Sequence, residues 1–320
     1  MSKLFAVGDR YARLVLRPEE WESLPADWEA IFGRSAPLAV EVGFGNGEFL
    51  AQVAAEHPHW SFIGFEVTLK CVENAARRME QRALENVRLM RLEGRFGLRE
   101  LFAEGSVNQV YVNFPCPWPK ARHAQRRLFG PECVHTLAAV LLVGGEVRLV
   151  TDVHWYACEA REALQADGMF AAVGPRRVVD NGPATRYERK WRLEGREIWE
   201  LRGECRAAPA IQRIAEGVMP HARVEREVPW AGVKRLAGWT QTWSGGAFVV
   251  REVFYRADER SAILRVFSTD GDFQQQYFML LARARYGMLV KLDGATLPFR
   301  TPAVKRSVAD VAAVLREGGT

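Results

Sequence analysis

Apolar positions fall in two rhythms along the chain. Through the first two thirds, short apolar runs alternate with segments of helical period. The runs cover 38–42, 60–67, 86–93, 107–114 and 141–152. They are short and rich in β-branched and aromatic residues, which predicts buried strands. Between them, Phe49, Leu50, Val53 and Ala54 have helical spacing. Val72, Ala75, Ala76 and Met79 place one apolar face on a helix over 68–82. Further helices are predicted over 95–104, over 131–142 with Pro131 at its start, and over 154–164. This strand–helix alternation predicts an α/β fold with a doubly wound, mostly parallel sheet and helices on both faces.

The rhythm changes near Ala207-Ala-Pro-Ala, a linker composition that follows a last strand over 198–203. Beyond it, strands are predicted over 246–255, 262–269, 277–283 and 287–292, separated by turn signals such as Ser244-Gly-Gly. Val308, Val311, Ala312 and Leu315 then share one face of a closing helix. This predicts a smaller α+β domain in which most aromatics are core. The expected organisation is an N-terminal segment over 1–36, a main domain over 37–205 and a β-rich extension over 206–320. In the first segment only a short helix start near Pro18 is legible.

Composition narrows the class. The 320 residues suffice for two domains. Net charge is +5, and seven of the 44 basic residues are lysine. Arginine is the better fork for phosphate and stacks on bases, although a GC-rich genome gives the same bias. No apolar run reaches the roughly 18 residues of a membrane span, and residues 1–17 lack a signal-peptide pattern. The five cysteines are odd in number and have no CxxC spacing. That argues against a disulfide framework or a zinc knuckle, and a reducing cytoplasm is the expected home.

The candidate chemistry gathers at strand ends. Gly43, Gly45 and Gly47 follow the first main-domain strand, where they permit a tight turn and close approach of a ligand. Many nucleotide folds share this pattern, but no lysine–serine pair of a phosphate cradle accompanies it. Glu41 lies at the end of that strand, and a buried carboxylate there needs a partner. Glu66 ends the second strand, where a carboxylate grips a ribose diol in such folds. Glu93 ends the third, within reach of an adenine edge. The fourth strand stops at Pro115, Pro117 and Pro119, which cannot donate to a ladder. The stiff loop that results carries Cys116, Trp118, Lys120, Arg122, His123, Arg126 and Arg127. A flat ring with a basic tail suits a base on a phosphate backbone. Asp152 ends the fifth strand, and a polar loop holds Thr185, Arg186, Tyr187 and Glu188.

Four of these segments together resemble the bacterial tRNA (guanine-N7-)-methyltransferases. Glu41-Val-Gly-Phe-Gly45, Phe114-Pro-Cys-Pro-Trp-Pro-Lys-Ala-Arg-His123, Thr151-Asp152 and Thr185-Arg-Tyr-Glu188 match that family's motifs in order and spacing. The resemblance covers roughly 38–203, and the C-terminal extension resembles one carried by some thermophilic members. It implies S-adenosylmethionine as methyl donor and the variable-loop guanosine of tRNA, position 46, as acceptor. It implies cofactor contacts at Glu41, Gly43, Gly45, Glu66, Glu93 and Cys116. Substrate contacts are implied at Lys120, Arg122, His123, Asp152 and Thr185 to Glu188, with Cys116 and Asp152 nearest the chemistry. No metal and no membrane are implied, and monomer and homodimer are both open.

Two residues depart from the pattern. Leu92-Glu-Gly stands where the family has Gly-Asp-Ala, so Glu93 is one methylene longer. Cys116 stands where the family has its proposed catalytic aspartate. A carboxylate beside the cationic N7-methylated ring is worth about 2–4 kcal/mol in a partly dry site. The competing expectation is therefore a weakened or inactive tRNA-binding homologue.

Overall fold

The computed structural model describes residues 11–178, 193–258 and 260–317. They form two compact units, one of the described residues up to 18 and within 24–212, the other of residues 19–23 and the described residues within 213–317.

The first unit contains strands β1 (Val15–Leu16), β2 (Leu38–Val42), β3 (Ser61–Phe65), β4 (Val87–Met90), β5 (Val107–Asn113), β6 (Leu141–Thr151), β7 (Phe170–Arg177) and β8 (Trp199–Cys205). Their order is β1-β4-β3-β2-β5-β6-β8-β7. The strands from β1 to β6 are parallel, and β8 runs antiparallel between β6 and β7. Central strands β2 and β3 are buried almost throughout, as parallel strands covered on both faces must be. The helices are α1 (Trp28–Phe32), α2 (Glu48–Glu56), α3 (Leu69–Gln81), α4 (Gly94–Leu101), α5 (Pro131–Val140) and α6 (His154–Asp167). The chain reverses its direction of travel at β2. Right-handed crossovers then place α2 and α3 on one face and α4 and α5 on the other. This is the doubly wound sheet that the alternation predicts, and α3 buries Val72, Ala75, Ala76 and Met79 as expected.

Some elements differ from expectation. β7 is Phe-Ala-Ala-Val-Gly-Pro-Arg-Arg, a sequence with weak strand signal. Its register shifts between Val173 and Arg176, where Pro175 sits, and an edge position tolerates that shift. β6 begins at Leu141, so α5 ends two residues early and the Gly-Gly pair lies inside a long strand.

The second unit contains β9 (His221–Val224), β10 (Thr240–Trp243), β11 (Gly246–Tyr255), β12 (Ser261–Asp270), β13 (Phe273–Arg283) and β14 (Met288–Leu292), with α7 (Trp230–Lys234) and α8 (Pro302–Glu317). Its antiparallel sheet has the order β10-β11-β12-β13-β14-β9. One sheet face packs on α8, with Val266, Tyr277, Met279 and Val290 against Val304, Val308 and Val311. A buried hydrogen bond of 2.7 Å between the Tyr277 and Ser307 hydroxyls joins α8 to β13. The short strands β9 and β10 and helix α7 carry too few periodic positions to be read from sequence.

Candidate active site

The reversal at β2 opens a crevice at the carboxyl ends of β2 and β5, where open α/β sheets receive ligands. Four sequence-predicted groups border it from successive strand ends.

Glu41, in β2, is 1% exposed. Its Oε1 accepts a hydrogen bond of 2.9 Å from Asn113 Nδ2 at the end of β5. Its Oε2 is buried with no partner. Burial pushes this carboxyl up to about 7, opposed by the Asn113 hydrogen bond and reinforced by the nearby Glu66 charge. An orphaned carboxylate oxygen in a ligand crevice is costly unless something fills its place.

The glycine loop that follows has one closed side and one open side. Gly47 caps α2, and a Cβ there would stand 2.7 Å from Ala75 Cβ, so no larger residue fits. Gly43 and Gly45 also have positive φ, but a Cβ on either would meet nothing within 4 Å. Their backbone therefore faces open space and admits a ligand. Glu66 closes over this loop from β3. Its Oε2 accepts from Gly45 N at 3.1 Å and its Oε1 from Thr68 N at 2.9 Å. Each oxygen keeps a lone pair for a hydroxyl.

Glu93 is more committed. Its Oε2 accepts from Phe96 N at 2.9 Å and so caps α4. Its Oε1 takes Arg95 Nε at 2.9 Å, and Arg95 Nη1 donates to Gln125 O at 3.2 Å. Glu93 thus braces the crevice wall to the proline loop.

That loop leaves β5 through Phe114, whose N–H donates to Val150 O at 2.7 Å. Phe114 and Trp118 have φ of 50° and 44°, a left-handed backbone that non-glycine residues adopt at a cost. The structure therefore over-determines the loop, and Arg127 is the main brace. Its guanidinium donates to Pro117 O at 3.1 Å and to Trp118 O at 3.1 Å. The same group pairs with both oxygens of Glu159 at 2.7 and 2.6 Å and lies 5.0 Å from the Trp155 ring. Arg127 is an anchor, contrary to its reading as part of a phosphate-binding tail. Arg126 lies 5.0 Å over the Trp118 ring, which His123 meets edge-on at 5.7 Å. Arg122 Nε stands 3.3 Å from His123 Nε2. Cys116, Lys120 and Arg122 are exposed. At the end of β6, Asp152 Oδ2 accepts from Arg196 Nη1 at 2.8 Å. Thr185, Arg186, Tyr187 and Glu188 lie outside the described residues.

Sequence reasoning missed Asn113, Glu159 and Arg196. The only signal for Asn113 was an amide at a strand end, and its partner lies 72 residues away.

The sequence resembles known proteins over 95% of the chain. A family model described as a putative methyltransferase matches residues 35–201. A Thermotoga maritima protein named tRNA (guanine-N(7)-)-methyltransferase is 39% identical over 308 residues, 95% of this chain and 97% of its own. One of the same name from Coprothermobacter proteolyticus is 33% identical over 314 residues, 95% of this chain and 94% of its own. One from Geobacter metallireducens is 35% identical over 188 residues, 58% of this chain and 89% of its own. With that coverage and the crevice described above, the chain belongs to the tRNA (guanine-N(7)-)-methyltransferase family.

Proposed function

We infer that the chain methylates guanine N7 in tRNA from S-adenosylmethionine, with the variable-loop guanosine at position 46 as acceptor. In this reading catalysis belongs to residues 37–205, flanked by the segments 1–36 and 206–320, and a tRNA substrate fits a cytoplasmic protein. The observation that carries the reading is the unpartnered, buried Glu41 Oε2 beside the open side of the Gly43–Gly45 loop. A donor with cationic and hydroxyl groups suits this set of acceptors. When bound, S-adenosylmethionine supplies an electrophilic methyl group on a sulfonium.

The chain's own residues bind and align. Glu41 accepts from the donor's polar end and is oriented by Asn113. Glu66 accepts from ribose hydroxyls while its bond to Gly45 N sets the loop. Glu93 borders the adenine side and holds the wall through Arg95. Cys116 stands where the loop meets the crevice. Lys120, Arg122 and His123 meet the tRNA, with Asp152 and the segment Thr185, Arg186, Tyr187 and Glu188 on the substrate side. Guanine N7 presents a lone pair and no proton, so its attack on the methyl is an in-line displacement. Alignment supplies much of the barrier reduction, and no base is obligatory. Replacing the aspartate by Cys116 therefore leaves the reaction possible.

The test is transfer of labelled methyl from S-adenosylmethionine to bulk tRNA, followed by nucleoside analysis. Label in 7-methylguanosine is expected, and label in any other nucleoside sinks the assignment.

A further inference from the structure

The second unit has a sheet face that its own core does not use. Strand register sorts its side chains into two sets. The inner set packs on α8. The outer set forms rows across the sheet. Phe254, Ile263, Leu280, Lys291 and His221 are successive partners from β11 to β9. Neighbouring rows bring Arg265 beside Phe278, Val249 beside Phe267, and Leu289 beside Arg223. The centre of this face sets aromatic and aliphatic side chains around the Arg265–Glu252 pair, and its β14–β9 side is basic.

Three further observations describe what fits there. Phe254 is 52% exposed, and Arg251 lies 5.9 Å from the Phe267 ring, so flat π surfaces and guanidinium groups stand together. His221, Arg223 and Lys291 make no ion pair among the described residues. They line a cavity of about 400 Å³ with Leu289, Leu297 and Asp293. Asp293 is partly engaged, since its Oδ1 accepts from Ala295 N at 2.9 Å.

Charges on an edge strand commonly serve only to block strand addition. That accounts for the cations of β9 but not for Phe254, which is 52% exposed, or for Phe267 and Phe278, which are partly exposed on the same face. Among the described residues, a second copy of the chain offers no row of acids on this face to meet the cations of β14 and β9. The carboxylate on the central rows among the described residues, Glu252, is already held by Arg265 at 2.9 Å. An anionic partner with flat faces satisfies both halves. Unpaired RNA bases stack on aromatic rings while phosphates meet the cations.

We propose that this outer face is a second RNA-docking surface, which holds an unpaired segment of the tRNA substrate across Phe254, Phe267 and Phe278 with its phosphates along His221, Arg223 and Lys291. The choice of tRNA rests on the reading given under Proposed function. The surface itself requires only single-stranded RNA.

The test uses the full chain and two probes, an unmodified tRNA transcript and a short oligouridine. Affinity is measured against salt for the wild type, for the double variant Arg223→Glu/Lys291→Glu, and for Phe254→Ala. The double variant is expected to bind both probes at least about tenfold more weakly, with a log–log salt slope lower by about two. Phe254→Ala, at an exposed position, is expected to lose about fivefold or more with an unchanged slope. Thermal midpoint and S-adenosylmethionine affinity stay as in the wild type. Unchanged RNA affinity and slope in the double variant overturn the proposal. So does a change in sedimentation with unchanged RNA affinity, which assigns the face to self-association. Methyl transfer by the wild type separates the two readings. Transfer to tRNA with an indifferent double variant removes the surface alone. Oligouridine binding that depends on Arg223 and Lys291, without transfer to tRNA, removes the substrate assignment alone.

Discussion

Two buried carboxylates in the first unit have opposite surroundings. Glu41, at the centre of the sheet, has one neutral amide and an empty oxygen. Glu200, in β8, has Arg148 Nε at 2.5 Å, Arg202 Nη2 at 3.0 Å and Arg176 Nε at 2.8 Å. Arg148 and Arg202 are direct cross-strand partners, and like charges so placed repel. Glu200 lies between them and removes the repulsion. Burial alone would raise its pKa, but hydrogen bonds from Arg202, Arg148 and Arg176 outweigh that and bring it to about 2. Glu41 is pushed the other way, to about 7. A buried charge that is fully paired holds a fold together. One that is left half-paired marks a candidate place for a ligand.

The largest expected effect is on stability. Glu200→Ala leaves Arg148, which is 11% exposed, without its counter-charge. The loss should be about 3 kcal/mol, read as a lower thermal midpoint, with S-adenosylmethionine affinity unchanged. A variant as stable as the wild type would show that solvent already serves these arginines. Glu41→Gln should do the reverse. Its neutral amide cannot accept from a cationic donor as a carboxylate does, so cofactor affinity should fall about 10- to 100-fold by calorimetry. Its stability should not fall at pH 8.

The pH profile sharpens the contrast. Glu41 has a folded pKa above its ordinary 4.5, so the folded state holds the proton longer. Its contribution is favourable at low pH and is lost as pH rises from 4.5 through about 7, by about 3 kcal/mol. Glu200 has a folded pKa below 4.5, so its contribution is present above that pH and is lost as pH falls toward about 2. Glu41→Gln should abolish the first slope and leave the second. If the wild-type curve is flat between pH 4.5 and 7, the half-paired state of Glu41 is wrong.

These differences set what the sequence could reveal. Glu41, Gly43, Gly45 and Glu66 lie on a strand–loop–helix pattern that is local, so their meeting at one crevice is legible from spacing. Asn113 and the three arginines of Glu200 depend on which strands become neighbours, and register decides that. The same limit affects the basic tail. Composition counts Arg127 as a phosphate-binding cation, whereas Glu159, 32 residues on, converts it to an anchor. β7 escaped because alanine, glycine and proline hide a strand that its neighbour β8 imposes. In the second unit the longer strands β11 to β14 are legible and the short β9 and β10 are not, and which face each residue takes is not legible either. If Arg127 is the brace, Arg127→Lys keeps the charge and loses the fork. Methyl transfer should then fall about tenfold in kcat/KM for tRNA with cofactor affinity intact. Equal loss for both ligands would mean that the loop also shapes the cofactor crevice.

The smallest effect is expected at Cys116, and its size follows from exposure. A carboxylate in a partly dry site would give the cationic product ring about 2–4 kcal/mol. Cys116 is exposed at the start of the loop, so water screens any charge placed there. At about 4 Å in a water-like dielectric the gain is about 1 kcal/mol. Cys116→Asp should therefore raise kcat only about fivefold. Cys116→Ala should stay within about threefold of the wild type, because alignment rather than the thiol carries the reaction. Both are measured with saturating tRNA and S-adenosylmethionine. A gain of a hundredfold from Cys116→Asp would mean that tRNA closes the loop against water. An inert Cys116→Ala, together with loss of turnover on thiol alkylation, would make the thiol a participant and end the positioning account.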